Sequence, residues 1–354
     1  MLRLPGLIDP HVHLREPGAT HKEDWTSGTA AALAGGFTVV LVMPNTSPPV
    51  SDAETLDQTL TLACQKARCD YAQYVGAGAE NGSSLPKLAG QAAGLKLYLD
   101  QTYGPLRLAD QGAWVRHFES WPYEKPLCIH AERQTLAAAL KLAEMMKRPV
   151  HFCHVSRKEE ILLIRAAKER GVPVTCEVTP HHLFLSEADI PAIGAGRAEV
   201  RPRLASLADQ QALWENMDVI DCFASDHAPH TLAEKDGANA PPGFPGLETA
   251  LPFYLTAIQA GRLTMGQLIA RCHTNPKRIF DLPDQPETWV DVDENAFWLI
   301  RAADMHSRAG WTPFEGMLVQ GRVDRVVLRG RLVFKYGQVL SEPGSGRDLR
   351  AIIR

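Results

Sequence analysis

The sequence predicts an α/β fold, a (β/α)8 barrel of the TIM type with a small β appendage near the C-terminus. Short apolar segments alternate with longer segments of helical apolar spacing, which is typical of α/β barrels. Eight such apolar segments fall within roughly 230 residues, the scale expected of one barrel. A doubly wound sheet is the competing fold, but no GxGxxG turn follows an early strand.

The eight predicted strands are short runs of apolar residues, as expected of buried parallel strands. In order they are LPGLID (4–9), FTVVLVM (37–43), YAQYVGAG (71–78), GLKLYL (94–99), PLCIH (126–130), PVHFCH (149–154), PVTCEV (173–178) and VIDCFASD (219–226). Amphipathic segments between them predict the helices. One of these, KEEILLIRAAKERG (158–171), has helical apolar spacing and ends in a glycine suited to a C-cap.

The β appendage is predicted from a change of sequence pattern after about residue 311. Residues 321–340, GRVDRVVLRGRLVFKYGQVL, are β-branched and interrupted by turn residues, which is typical of two or three antiparallel strands. We therefore expect the barrel to occupy residues 6–310, and the appendage and tail to occupy residues 311–354 together with residues 1–5. Almost nothing precedes the first barrel strand, so we expect the chain to be a domain of a longer polypeptide.

The composition is that of a soluble globular protein. The 354 residues are 45% hydrophobic and 22% charged, with a formal charge of -4 and a pI near 6.4. No basic stripe predicts nucleic-acid binding, and no apolar run reaches the about 20 residues that a membrane span needs. The seven cysteines include no close CxxC pair, and the N-terminus has no signal-peptide pattern. These features predict a cytoplasmic setting.

Polar residues near the ends of the predicted strands form the candidate site. Because the C-terminal ends of barrel strands face the active site, they should converge on one rim. They are His11, His13, Asn45, Lys96, His130, His154 and Asp226. A single histidine at a strand end is more often hydrogen-bonded than bound to a metal. His11 and His13 differ, because side chains two residues apart share a strand face and can reach one ion.

Lys96 lies inside an apolar strand, where a buried ammonium is costly and cannot bind a metal. Either its amine reaches solvent or it is chemically altered. Carboxylation by carbon dioxide would turn it into an anion with two oxygens that can bridge two cations. Asp226, in ASDHAPH, either caps a turn or serves as a catalytic carboxylate.

These residues resemble the metal centre of the amidohydrolase superfamily, in which an HxH pair, a carboxylated lysine, two later histidines and an aspartate hold two metals. Within that superfamily, the segments DPHVHLREPG, MPNT, ASDHAPH and GFPGLET resemble the dihydroorotases, and the likeness covers nearly the whole chain. It includes the dihydroorotase domain of the animal multifunctional pyrimidine-synthesis protein. The resemblance thus implies carbamoyl-phosphate synthetase and aspartate transcarbamoylase domains as covalent partners in the parent chain, and a homodimer.

The resemblance implies a zinc-dependent dihydroorotase of de novo pyrimidine (UMP) biosynthesis. Such an enzyme cyclises N-carbamoyl-L-aspartate reversibly to (S)-dihydroorotate and water. The implied ligands are His11, His13, carboxylated Lys96 and Asp226 for one zinc, and the same lysine with His130 and His154 for the other. A hydroxide between the metals would attack the ring, and Asp226 would pass its proton to the leaving nitrogen. Lys96 and Asp226 are therefore the implied catalytic residues.

A ring carboxylate distinguishes dihydroorotate from dihydrouracil. A guanidinium matches a carboxylate in a two-point fork, and an amide supplies a further donor. By position, the implied substrate-binding residues are Arg15, Asn45, Thr102, Tyr103, Arg201 and His230. Thr102 and Tyr103 belong to a TYG segment that matches a mobile loop able to close over substrate. The alternatives are a surface salt bridge for Arg15, a turn residue for Asn45 and a plain turn for the loop.

A third zinc ion is a hypothesis that rests on Cys153 and Glu177. They would supply a thiolate and a carboxylate beside the metal pair, and His11 would bridge two metals through both ring nitrogens. Strand alternation instead points Cys153 away from the side of His154, which favours a buried core cysteine.

Two other functions remain open from the sequence. Dihydropyrimidinases, hydantoinases and allantoinases share the metal centre, although Arg15, Asn45 and the DHAPH context favour a substrate that bears an acid. The second alternative is a non-catalytic scaffold, since some relatives in the superfamily have lost their metals. All six ligand positions are filled here, which argues against it.

Overall fold

The computed structural model describes residues 1–351. Its strands, in chain order, are β1 (Leu2–Pro5), β2 (Leu7–Val12), β3 (Phe37–Val42), β4 (Asp70–Gln73), β5 (Val75–Gly76), β6 (Leu95–Tyr98), β7 (Leu127–His130), β8 (Val150–Phe152), β9 (Val174–Val178), β10 (Cys222–Phe223), β11 (Trp289–Leu299), β12 (Leu318–Leu328), β13 (Arg331–Lys335) and β14 (Gln338–Val339).

The helices are α1 (Trp25–Ala34), α2 (Ala53–Lys66), α3 (Gln111–Ser120), α4 (Gln134–Met146), α5 (Lys158–Glu169), α6 (Pro180–Phe184), α7 (Ile190–Ile193), α8 (Leu207–Glu215), α9 (Leu232–Lys235), α10 (Leu247–Gln259), α11 (Met265–Ile269) and α12 (Asn275–Ile279). Within residues 1–351, no helix is both long enough and apolar enough to cross a membrane.

Strands β2 to β10 form a closed parallel barrel. β2, β3 and β4 pair in that order, and β5 to β10 pair in chain order. β4 and β5 are one strand interrupted at Tyr74, whose N–H still donates to the Val42 carbonyl at 2.9 Å. Between the last strand and the first, the His13 N–H donates to the His227 carbonyl at 2.8 Å. The predicted (β/α)8 barrel is confirmed.

Local sequence explains individual elements. β3, FTVVLV, is buried along its whole length because a parallel barrel strand is covered on both faces. α1 begins after Asp24, whose carboxylate accepts from the Ser27 N–H. α5 occupies most of the predicted segment 158–171, and Gly171 follows it with φ 79°.

The appendage is an antiparallel sheet of order β1-β11-β12-β13-β14. The predicted boundary at residues 310 and 311 is wrong, because β11 begins at Trp289 and pairs with both β1 and β12. β11 alternates apolar and polar residues and is half exposed, so it lacks the continuous apolar run by which buried strands were recognised. The strands predicted within residues 321–340 correspond to most of β12 and to β13 and β14.

The described part of the tail returns to the barrel. The Tyr71 N–H donates to the Arg347 carbonyl at 2.9 Å, and the Leu349 N–H donates to the Tyr71 carbonyl at 2.8 Å. Residues 347–349 therefore pack against β4 rather than extending the appendage sheet.

Candidate active site

The C-terminal ends of the barrel strands surround one pocket. The predicted site residues in its wall are His11, His13, Arg15, Asn45, Thr102, Tyr103, His130, His154, Arg201 and Asp226. The remaining predicted residues are buried outside this wall: Lys96, Cys153, Glu177 and His230. Residues that are distant in sequence thus meet at one rim, as a barrel requires.

His11 and His13 lie beside the carboxylate of Asp226. The Oδ1 atom of Asp226 is 3.1 Å from His13 Nε2 and 3.3 Å from His11 Nε2. The ligand atoms of these three residues lie within 4.8 Å of one another, so they could hold one metal ion. The structure therefore brings together three of the four ligands implied for the first metal.

The outer nitrogens of these histidines are held by second partners. His13 Nδ1 lies 2.6 Å from Asn45 Oδ1, and His11 Nδ1 is bonded to Glu177 Oε1. Both oxygens accept, so each Nδ1 carries the proton and each Nε2 is left free to bind a metal. Asn45 Nδ2 also donates to the Tyr103 carbonyl at 3.0 Å. Asn45 therefore orients a ligand histidine in addition to lining the pocket.

His130 and His154 form the second pair. His130 Nδ1 lies 3.0 Å from His154 Nε2. The opposite nitrogens, His130 Nε2 and His154 Nδ1, are buried and have no hydrogen-bond partner among the described residues. His130 Nε2 lies 3.6 Å from Glu132 Oε1. The facing nitrogens, His130 Nδ1 and His154 Nε2, are close enough for one metal ion to bind both.

Backbone strain is concentrated in the same place. His154, Asp226 and Arg15 have φ angles of 33°, 45° and 58°. A non-glycine residue in such a conformation costs roughly 1–3 kcal/mol, and such residues cluster at functional sites. The positive φ of His154 comes just after β8 ends, where strand alternation no longer sets the direction of a side chain.

Lys96 is fully buried on β6. Its Nζ donates to Cys153 Sγ at 2.8 Å and lies 5.1 Å from the centroid of the Tyr98 ring. Within residues 1–351 the ammonium has no carboxylate within salt-bridge distance, which is unfavourable for a buried charge. A carboxylated lysine would remove that positive charge and supply ligand oxygens, so the surroundings fit the modified residue.

His11, His13 and His154 are neutral at ordinary pH. Burial lowers the pKa of His11 to about 4, and the nearby Lys96 acts in the same direction. Burial also holds the pKa of His13 and of His154 well below the usual value. Neutral imidazoles are the form that binds metals. Burial raises the pKa of Asp226, which suits a carboxylate that accepts a proton.

His11, Cys153 and Glu177 form a second group whose ligand atoms lie within 4.8 Å of one another. Cys153 is also buried in a hydrophobic cluster outside the pocket wall, which agrees with the alternative of a core cysteine. Its third-metal role stays a hypothesis. Glu177 Oε2 also lies 3.1 Å from His151 Nε2.

Arg15 presents a free donor to the pocket. Its Nε donates to the Pro229 carbonyl at 3.0 Å, and its Nη2 lies 3.1 Å from His230 Nε2. Nη1 is buried and has no partner among the described residues. The side chain is buried, so a surface salt bridge does not describe it. Arg201 also lines the pocket, with its Nη1 2.8 Å from Glu199 Oε2.

The sequence did not point to several residues around the pocket. Tyr98, whose buried hydroxyl has no partner within residues 1–351, lies two residues after Lys96, and that spacing could have identified it. Lys235 gave no comparable signal. Its Nζ donates to the carbonyls of Glu199, Pro241 and Gly243 at 2.7, 2.9 and 3.3 Å, and so supports the wall.

Gly243 shows why a glycine lies in this wall. Its φ is 144°, and a Cβ atom there would lie 2.3 Å from the Ala228 carbonyl oxygen. Any side chain would collide with that backbone.

Comparisons with known proteins agree with this geometry. A family model described as Dihydro-orotase-like matches residues 1–100. The chain is 55% identical over 351 residues to the multifunctional protein CAD of Squalus acanthias, covering 99% of this chain and 16% of that protein. It is 36% identical over 374 residues to the dihydroorotase of Pyrococcus abyssi, covering 98% of this chain and 87% of the relative.

Two solved structures share the fold over almost the whole chain. The L-hydantoinase (dihydropyrimidinase) of Arthrobacter aurescens superposes with a TM-score of 0.92 at 25% identity, covering 98% of this chain and 88% of that one. The inactive dihydroorotase-like domain of the Chaetomium thermophilum CAD-like multifunctional protein superposes with a TM-score of 0.85 at 30% identity, covering 98% and 99%.

Proposed function

The chain belongs to the dihydroorotase family, and from that premise we propose that it is a zinc-dependent dihydroorotase of pyrimidine biosynthesis. It would interconvert N-carbamoyl-L-aspartate with (S)-dihydroorotate and water. One observation carries the proposal: two histidine pairs, Asp226 and a buried arginine line one pocket. The pairs are His11 with His13 and His130 with His154, and Nη1 of the arginine, Arg15, has no partner among the described residues. Imidazole nitrogens suit a metal, and a guanidinium N–H suits a carboxylate.

The metal ligands follow from the two histidine pairs. His11, His13, carboxylated Lys96 and Asp226 would hold one zinc, and the same lysine with His130 and His154 would hold the other. Zinc bound there would polarise the scissile carbonyl and lower the pKa of a water molecule, so that hydroxide is available near neutral pH. The group of His11, Cys153 and Glu177 offers a third position, where a metal ion would replace the proton on His11 Nδ1 so that the imidazole bridges two metals.

Asp226 would carry the proton. In hydrolysis, its carboxylate would accept the proton of the attacking hydroxide as the hydroxide oxygen bonds to the ring carbonyl carbon. It would donate that proton to the ring nitrogen as the carbon–nitrogen bond breaks. In cyclisation the same transfers run in reverse. Burial raises the pKa of Asp226, so the carboxylate is a stronger base than an exposed aspartate.

Substrate recognition would centre on Arg15. Its free Nη1 faces the pocket and can donate to the ring carboxylate. His230 lies next to the guanidinium, and Arg201 lies at the pocket wall. Thr102 and Tyr103 lie in the loop after β6 and cover the same end of the pocket. Asn45 would act by holding His13 and the Tyr103 backbone.

The alternatives are less well supported. A cyclic amide hydrolase of the hydantoinase type shares the fold, but a buried arginine with an unused N–H in the pocket favours a substrate that bears a carboxylate. A non-catalytic scaffold has a precedent in the inactive dihydroorotase-like domain of C. thermophilum. All six ligand residues are present in this chain, and five of them line the pocket.

The function is tested by measuring hydrolysis of dihydroorotate by the zinc-loaded chain. Dihydrouracil, which lacks the ring carboxylate, is the comparison substrate. We expect turnover of dihydroorotate alone. Asp226→Asn should lower kcat by roughly 10²–10⁴-fold, because the proton carrier is removed. The exposed Asp57→Asn is the matched control. The proposal would be contradicted if the chain hydrolysed dihydrouracil but not dihydroorotate. An Asp226→Asn variant as active as the control would also contradict it.

Covalent attachment to carbamoyl-phosphate synthetase and aspartate transcarbamoylase domains is supported by the multifunctional relative, of whose length this chain covers 16%. The homodimer stays a prediction of the resemblance, and the cytoplasmic setting stays a prediction from the cysteine pattern and the N-terminal sequence.

A further inference from the structure

Lys22 lies in the loop between β2 and α1, and its side chain is only 5% exposed. Its Nζ has three partners: Glu234 Oε1 at 3.0 Å, His230 Nδ1 at 3.0 Å and Tyr103 Oη at 3.2 Å. A lysine ammonium has three N–H donors, so each partner can take one. Lys22 thus connects three parts of the chain: α9, which contains Glu234, the segment before α9, which contains His230, and the loop after β6, which contains Tyr103.

The first consequence concerns the protonation of His230. Lys22 and Arg15 can only donate, and the Pro242 carbonyl can only accept. The tautomer in which Nδ1 accepts from Lys22 and Nε2–H donates to the Pro242 carbonyl at 3.0 Å satisfies two of the three contacts, whereas the other neutral tautomer satisfies only the contact with Arg15. In the favoured tautomer Arg15 Nη2 lies beside Nε2 without a hydrogen bond to it. Burial lowers the pKa of His230 well below its usual range, and Arg15 and Lys22 lower it further. Burial thus keeps His230 neutral, and Lys22 holds its Nδ1 as an acceptor.

The second consequence concerns the loop. The Tyr103 ring lies 4.6 Å from Lys22 Nζ and 5.0 Å from Arg15 Cζ, distances at which a cation is attracted to an aromatic face. The ring also packs edge to face on His230, with centroids 4.9 Å apart. The Tyr103 backbone is held by Asn45. Lys22 supplies the bond to the hydroxyl, so both ends of this loop residue are fixed over Arg15.

We infer that Lys22 is a positioning residue for recognition of the substrate carboxylate, which latches Tyr103 over the pocket and fixes His230 as the Nε2–H tautomer beside Arg15. The inference rests on the proposed function, because it assigns the Arg15 end of the pocket to a carboxylate. Lys22 is not part of the pocket wall and does not reach the metal ligands. Its loss should therefore weaken substrate binding more than it slows the chemical step.

The test uses the zinc-loaded chain and the variants Lys22→Met, Tyr103→Phe and the double variant, with the exposed Lys87→Met as the matched control. We expect each single variant to raise KM for dihydroorotate about tenfold, the scale of one hydrogen bond to a charged group, with kcat within about threefold. The double variant should be no worse than the more severe single variant. Amide hydrogen exchange over residues 100–108 should be faster in all three latch variants than in the control.

Two results would overturn the inference. The first is that Lys22→Met changes neither KM nor the rate of loop exchange. The second is that the rise in KM of the double variant equals the product of the rises in the two single variants. Tyr103→Phe leaves the Lys22–Glu234 ion pair intact, and it decides the question if Lys22→Met does not fold. If the unmodified chain fails to turn over dihydroorotate, the proposed function fails. The exchange measurement then still decides whether Lys22 latches the loop.

Discussion

At the scale of single residues, Glu177 holds two of the proposed metal ligands, His11 and His154. Its Oε1 accepts from His11 Nδ1 and from the His154 backbone N–H at 3.2 Å, and its Oε2 lies 3.1 Å from His151 Nε2. Burial alone would raise the pKa of Glu177, but His11 and His151 hold it well below the usual range. The carboxylate is therefore charged although it is buried, and it can orient His11 whether or not it also binds a metal.

Cys153→Ser tests the third metal position at this scale. Serine is close to cysteine in size but is a poor zinc ligand, so the zinc content per chain should fall by one while the fold is kept. The measurement is elemental analysis of the purified variant beside the unmodified chain and Cys128→Ser, a buried cysteine on β7. A count of two zinc ions per chain that Cys153→Ser leaves unchanged would contradict a third ion.

At the scale of secondary-structure elements, the barrel could be predicted because each strand is a short apolar run whose two faces are both buried. β3 and β7 are buried along their whole length. β11 could not be found by the same criterion, since one of its faces is exposed and its apolar residues alternate with polar ones. Its assignment depends on pairing with β1, almost 290 positions away in the chain, and only tertiary structure determines that pairing.

The junction between barrel and appendage gives a pH-dependent prediction. His306 Nδ1 lies 2.9 Å from Glu248 Oε2 at the start of α10, and its Nε2 lies 3.1 Å from the Gly337 carbonyl in the appendage. The hydrogen bond to Glu248 raises the pKa of His306 above the unfolded value of 6.5. The stabilisation is therefore full below pH 6.5 and is lost as the pH rises through the folded pKa.

His306→Gln should lower the free energy of unfolding by about 1 kcal/mol at pH 6 and by less at pH 9. Urea denaturation at the two pH values measures the difference, with the more exposed His21→Gln as control. A loss that is larger at pH 9 than at pH 6 would contradict the charged His306–Glu248 pair.

At the scale of the whole molecule, the site is assembled from the ends of strands that are far apart in sequence. Histidines at the ends of β2 and β7 and after β8 could be predicted to meet, because barrel topology fixes where strand ends lie. Lys22 and Lys235 could not, since both lie in polar segments whose paths depend on tertiary contacts. The same holds for Asn45, whose position near the site was predicted but whose bonds to His13 and Tyr103 were not.

Zinc content and dihydroorotate hydrolysis, measured on the same sample of the unmodified chain and of Lys96→Ala, test the central claim most directly. Lys96 is the residue shared by both proposed metals, so its loss should remove metal and activity together. We expect two or three zinc ions per chain and clear turnover in the unmodified chain, and most of both to be lost in Lys96→Ala. Full activity in Lys96→Ala would contradict the account.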